Sequence, residues 1–170
     1  LIADRSRVVI EIGLAYGSSA LAIGEALTSV EDAQHLIIDA FQDRFGNVGW
    51  DSVVEAGLET ICELHPELSQ LALPRLVAEG LVADAAFVDG SHAFHNVFVD
   101  LDFLRELVRP GGLIILDACD WPSAATAVHY HEVDLAWTPA APGLAGRLRP
   151  FRLPDPRVEP RVEDFEPFGV

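Results

Sequence analysis

Apolar residues along this chain come in short blocks, and most blocks close on a glycine or an aspartate. RVVIEIG, residues 7–13, is a β-branched run closed by Gly13, and SSALAIGEAL, residues 18–27, has a composition that favours helix. Together they predict a strand, a tight turn and a helix. Four further strand candidates follow: HLIID ending at Asp39, ETICEL at Leu64, DAAFVD at Asp89 and GLIILD at Asp117. Between the last two, Phe94, Val97, Phe98, Leu101, Leu104 and Val108 recur at spacings of three and four, marking one apolar helix face that stops at Pro110-Gly111-Gly112. Strands alternating with helices predict a parallel sheet of the α/β class, and strand interiors that are apolar almost throughout predict helices on both of its faces. Three of the strand candidates end in aspartate, at the edge where open parallel sheets bind their ligands. Any one of the three is equally well read as a helix cap or turn former; three together point to a site.

Composition narrows the partners. The chain has 170 residues, 50% of them hydrophobic, which suffices for a single domain over 1–170 with one core and excludes intrinsic disorder. Lysine plus arginine number 11 against 27 aspartates plus glutamates, a formal net charge of −16. A surface so acidic repels phosphate backbones and anionic lipid heads, which argues against nucleic acid or a membrane as a main partner. No apolar run has the length to cross a bilayer, and there is no charged and apolar leader pattern. Two cysteines, Cys62 and Cys119, fit a reducing compartment better than a disulfide scaffold, so a cytoplasmic location is expected. Met is absent and Leu1 stands only a few residues before the first strand candidate, which predicts further helices ahead of this stretch. Proline is dense from Pro139 to Pro167, so 139–170 reads as a tail of loops and short edge strands.

The first strand-to-helix turn carries the most specific chemistry. In Glu11-Ile12-Gly13-Leu14-Ala15-Tyr16-Gly17-Ser18-Ser19, glycines at 13 and 17 allow a ligand close to the backbone. A dinucleotide-binding turn has G-x-G-x-x-G, yet Ala15 holds the second glycine position here. A carboxylate at Glu11 opposes a diphosphate and suits a ligand with an ammonium or sulfonium charge. S-adenosylmethionine carries both.

EIGLAYGSSALAIGEAL resembles motif I of class I SAM-dependent methyltransferases, in the E-x-G-x-x-x-G-x-S form found in small-molecule O-methyltransferases. FVDGSHAFHNVFVDLDFLRELVRPGGLIILD resembles the fourth and fifth strands, with their connecting helix, of the bacterial group called methyltransferase domain 24, and the likeness spans roughly Val8 to Tyr130. It implies a Rossmann-like doubly wound sheet of seven strands, mostly parallel, the last one antiparallel and drawn from around Leu148 to Leu153. It implies S-adenosylmethionine as cofactor, held by Glu11, Gly13, Tyr16, Gly17, Ser18, Asp39, Ala40, Phe41 and Asp89. Asp39 matches the acidic position that bonds the ribose hydroxyls, a role a strand-end carboxylate can fill on chemical grounds as well. Phe41 offers an aromatic face to an adenine or to the core, and Trp50 has a similar claim from a weaker position.

Methyl transfer to a hydroxyl needs alignment and a proton acceptor. His92, three residues past Asp89 on a glycine-containing loop, matches the histidine that acts as base in relatives with sugar or polyketide acceptors; a helix-start role is the alternative. His35, His65, His95, His129 and His131 read as structural. In those relatives a divalent cation sits on the fourth-strand aspartate and an acidic pair after the fifth strand. Here Asp89 and Asp117 match, Ala118 replaces the second member of the pair, and Asp120 is the remaining carboxylate. Magnesium dependence is therefore expected to be weakened or lost. Trp121-Pro122 reads as an acceptor wall or as an exposed turn. The chain reads as an O-methyltransferase of a small-molecule acceptor. A non-catalytic domain of the same fold is the alternative, an NAD-type oxidoreductase stands further behind, and a homo-oligomer is left open.

Overall fold

In the computed structural model, which describes residues 5–141 and 146–160, β1 (Val8–Ile12) runs through the middle of a seven-stranded sheet of order β3-β2-β1-β4-β5-β7-β6. Its neighbours are β2 (Gln34–Ile38) and β4 (Ala83–Val88), both parallel to it. The sheet extends through β3 (Cys62–His65) on one side and β5 (Val108–Leu116) on the other, again in parallel. β7 (Arg149–Arg152) then lies antiparallel to β5 and to the two-residue β6 (Thr138–Pro139). This is the Rossmann-like arrangement expected, with the reversed strand drawn from the proline-rich tail; the rest of that tail, 142–145 and 161–170, lies outside the described residues.

Alternation along β1 sorts its side chains between two helical layers, because successive residues of a strand point to opposite faces. Ile10 and Ile12 pack with α3 (Ser69–Ala78), α4 (Phe94–Leu107) and α5 (Pro122–Val133) in the larger core. Val9 turns the other way, against Ile23 and Leu27 of α1 (Ser18–Leu27). On that same face Leu14, Ile37 and Cys62 pack with Val53 of α2 (Val48–Glu55). Because β1 and β4 lead to crossovers on opposite sides, their carboxyl ends diverge and leave a crevice between them.

One boundary differs from the sequence reading. The apolar periodicity runs to Val108 and predicts a stop at Pro110-Gly111-Gly112, whereas α4 ends at Leu107 and β5 already begins at Val108. The proline and glycines are absorbed as an irregularity in the β4–β5 ladder, where pairing jumps from Ala83↔Val108 to Ala85↔Leu113. None of the helices among the described residues is long and apolar enough to cross a membrane.

A polar residue sits inside the α3–α4 contact. Asp100 is 1% exposed, receives a hydrogen bond from Ser69, and leaves Oδ1 without a partner among the described residues. Burial pushes its carboxyl up to about 6, with the Ser69 bond opposing. The folded chain thus holds this proton more tightly than the unfolded one, so the contribution to stability is full below the ordinary aspartate value and is lost as pH rises through about 6. Asp100→Asn should raise unfolding stability at pH 7.5 by about 2 kcal/mol and leave it nearly unchanged at pH 4, in urea titrations at both pH values.

Candidate active site

The floor of the crevice is set by two backbone contacts. Gly13 has φ +92°, and a Cβ there would stand 2.3 Å from the carbonyl oxygen of Asp89, so only glycine lets the end of β1 lie against the end of β4. Gly17, at φ +84°, begins α1, and a Cβ there would meet the carbonyl of Gly49 at 2.8 Å. The spacing of the two glycines therefore answers to β4 at one point and α2 at the other. Ala15, in the position a dinucleotide turn gives to glycine, adopts φ +44° and accepts a hydrogen bond from Gln42 Nε2 at 3.0 Å.

Asp39 holds this turn to the end of β2. Its Oδ2 accepts from the backbone N–H groups of Leu14 at 2.8 Å and Ala15 at 3.1 Å and from Gln42 Nε2 at 3.2 Å. Among the described residues its Oδ1 accepts only from Phe41 N–H, at 2.7 Å, and so retains acceptor capacity.

Over this floor opens a cleft of about 440 Å³ at the carboxyl ends of β1, β2, β3 and β4. Gly13, Asp39, Ala40, Phe41 and Asp89, all named from the sequence, line it. Four others named with them do not. Glu11 is 0% exposed, because strand alternation puts it on the α1 face with Val9. There it accepts a hydrogen bond from Ser19 Oγ and stands 2.8 Å from His35 Nε2. It lies beneath the turn, out of reach of direct contact with a ligand in the cleft. Tyr16 is 65% exposed, its ring edge-on to Phe45 at 5.2 Å. Gly17 and Ser18 belong to the start of α1, outside the cleft wall. Trp50 packs beside Leu14 and Val53.

The sequence reading missed the wall supplied by Phe45, by Glu67 to Gln70 at the start of α3, and by Ser91 and Asn96. Gln70 Nε2 donates to Asn96 Oδ1 at 3.1 Å, and Asn96 Nδ2 to Ser91 Oγ at 2.7 Å, a chain that ties three elements at the rim. The segment after β3 was detectable by the same rule that singled out the other strand ends. A second cavity, of about 480 Å³, lies at the amino ends of β2 and β3, from Asp32 to Leu36 and Glu59 to Glu63, away from all of these groups.

Asp89 also belongs to a second group, with Asp117, His92 and Trp121, that lies outside the lining of the cleft. Burial, then the hydrogen bond and charge of Asp117, push the Asp89 carboxyl up to about 6. Asp117 lies below its ordinary value: burial works against this, but hydrogen bonds from Arg147 and from Ala118 N–H prevail. His92 Nε2 is 3.9 Å from Asp89 Oδ1, and its ring meets Trp121 edge-on at 4.8 Å. The His92 carbonyl accepts from Ser123 Oγ at 2.6 Å, which fastens this loop to α5. Of the remaining histidines, His35 and His131 are buried, His65 is partly buried, and His95 and His129 are exposed on α4 and α5.

These residues do not fit a divalent cation. Among the described residues no three His, Cys, Asp or Glu side chains come together in a group able to hold a metal ion. Ala118 is buried at φ +56° and brings only a methyl, Asp120 is exposed on the next loop, and Asp117 is taken up by Arg147. A hard cation needs several converging oxygens.

The strand order, its reversed β7 and a crevice at the carboxyl ends of β1 and β4 are those of the class I SAM-dependent methyltransferase fold. The family described as a methyltransferase domain, type 24, matches residues 10–119, and the chain belongs to that family. Among solved structures it is similar to the O-methyltransferase TomG of Streptomyces achromogenes, involved in tomaymycin synthesis and solved with SAM. That likeness has 21% identity and a TM-score of 0.69 over 89% of this chain and 74% of the other. An O-methyltransferase of Bacillus cereus solved with SAH is 16% identical, with a TM-score of 0.70 over 93% and 76% of the two chains. A putative O-methyltransferase of Klebsiella pneumoniae is 19% identical, with a TM-score of 0.71 over 89% and 74%. At these identities the likeness concerns the fold. No curated protein matches the chain.

The two demands on Gly13, a left-handed backbone and a crowded Cβ, can be separated. Gly46 has φ +62° with nothing within 4 Å of a built Cβ. Gly46→Ala should cost about 1 kcal/mol, whereas Gly13→Ala should cost at least about 3 kcal/mol or prevent folding, by urea denaturation.

Proposed function

We propose that this chain transfers a methyl group from S-adenosylmethionine to a hydroxyl of a small molecule such as a sugar or polyketide. The observation that carries the reading is the charge of the cleft wall: Asp39 and Asp89 contribute carboxylates, Glu67 a third that is paired with Arg75, and none of the described lining residues is Lys, Arg or His. Such a wall opposes a diphosphate and favours a ligand with ammonium and sulfonium charge. Asp39 Oδ1 is the acceptor for ribose hydroxyls, and Phe41, Phe45 and Leu68 supply apolar surface for a flat base. The cofactor brings an electrophilic methyl on sulfur. The similar O-methyltransferase structures, two of them solved with SAM or SAH, support the choice.

His92 is the base. It is only partly buried, braced by Trp121 and Ser123, and accepts the hydroxyl proton at Nε2. The Asp89 carboxylate 3.9 Å away stabilises the imidazolium as it forms. Trp121, 48% exposed, gives the acceptor an apolar surface beside that base. A net charge of −16 keeps polyanionic acceptors away, and both cysteines are free and buried, so we place the reaction in the cytoplasm on an uncharged or cationic small molecule.

Calorimetry should show S-adenosylhomocysteine binding and no NAD binding, with Asp39→Asn weakening the former by about tenfold or more through the lost ribose acceptor. Absence of S-adenosylhomocysteine binding would reject the reading. With methyl-labelled cofactor and a panel of hydroxylated acceptors, His92→Ala should lower turnover by about 100-fold to 10,000-fold while leaving cofactor affinity unchanged; unaltered turnover would remove His92 as base.

A further inference from the structure

The strand-end carboxylates at the acceptor side have a resident cation of their own. Arg147 Nε donates to Asp117 Oδ1 at 2.9 Å and to Oδ2 at 2.8 Å, and its Nη2 donates to Oδ2 at 2.6 Å. Both oxygens of Asp117 are thereby turned to a guanidinium, the geometry in which arginine binds carboxylates most strongly. The pairing is anchored in the sheet. Cys119 N–H donates to the Arg147 carbonyl at 2.8 Å, and Arg149, two residues on, pairs with Leu116 in the β5–β7 ladder. Asp89 and Asp120 stand within range of the same charge. Arg147 is 60% exposed, so the guanidinium meets solvent as well as Asp117.

We infer that Arg147 takes the place of a divalent cation at this end of the cleft, holding Asp117 as a guanidinium carboxylate pair so that the site takes up no metal. The inference rests on the methyl-transfer reading for its meaning, since Asp89 and Asp117 are the carboxylates that match a metal site in the relatives. A cation entering here would have to displace Arg147 from Asp117 and would find a methyl at Ala118 instead of a second carboxylate. Arg147 acts as a positioning residue: it holds both oxygens of Asp117 and offsets the repulsion among Asp89, Asp117 and Asp120.

Manganese uptake, followed by the electron paramagnetic resonance of the free ion in the presence of S-adenosylhomocysteine, tests this without an acceptor. The unaltered chain should hold no Mn²⁺ at concentrations up to about 1 mM, the weak end of protein cation sites. Ala118→Asp, with Arg147 retained, should also stay empty, whereas Ala118→Asp combined with Arg147→Ala should bind at least about tenfold more tightly than either. Combining Ala118→Asp with Arg147→Lys should restore exclusion. Uptake by the unaltered chain that Asp117→Asn abolishes overturns the inference, as does equal uptake by Ala118→Asp with and without Arg147. Should Ala118→Asp prevent folding, the comparison is read between the unaltered chain and Arg147→Ala, where uptake rises and equality overturns. Calorimetry on the same samples separates the two claims: no S-adenosylhomocysteine binding rejects methyl transfer, while metal uptake with it bound rejects only the part given to Arg147.

Discussion

The approach of two backbones at the centre of the sheet governs the rest of the molecule. With a built Cβ of Gly13 only 2.3 Å from the Asp89 carbonyl, the ends of β1 and β4 are as close as polypeptide permits. From that point the chain turns one way into α1 and the other way toward α4. The cleft is the space between those departures. Asp39 keeps it open by fastening the first turn to β2 through the N–H groups of Leu14 and Ala15. One carboxylate thus satisfies two backbone donors that the tight turn leaves without partners and still presents an oxygen to a ligand.

Charge divides the crevice into two parts, the lined cleft and a group beyond Asp89 that does not line it. Asp39 makes one end suited to a cationic ligand, in a lining that holds no basic side chain, while Glu67 is paired with Arg75 from outside that lining. At the other end Asp89 and Asp117 crowd together, and their mutual repulsion is relieved in two ways. Asp89 holds a proton more readily than an ordinary aspartate, and Asp117 is paired with Arg147. His92 stands at the edge of this second group, between Asp89 and Trp121. A cation-seeking pocket with a histidine beside it holds the groups that the proposed transfer of a methyl and a proton requires. The hydride or phosphoryl chemistry that other members of this architecture carry out needs different groups.

Glu11 shows how a correct motif can still mislead about a residue. Its place in the first turn suggested contact with the cationic ligand, but side chains alternate along β1, and Glu11 shares the parity of Val9. It therefore points under α1, where Ser19 and His35 enclose it. Its influence on the cleft is through position and charge, at one remove. Ala118 and Arg147 make the complementary case: the missing carboxylate was visible in the sequence, while the arginine that answers it was not.

Local patterns were enough to read the strands, the glycines of the first turn and the aspartates at the strand ends. These features arise from neighbours a few residues apart: β-branched runs favour strands, and a backbone with positive φ selects glycine. The likeness of those motifs to a known family extended the reading to the number of strands and to the antiparallel β7. What the linear pattern could not supply is whatever depends on contacts between distant segments. The wall from Glu67 to Gln70, the burial of Glu11 and the grip of Arg147 on Asp117 across 30 residues follow from which strands lie side by side and in what register. That register is settled by packing of the whole sheet against its two helical layers, an energy shared among many residues and carried by no short stretch of chain.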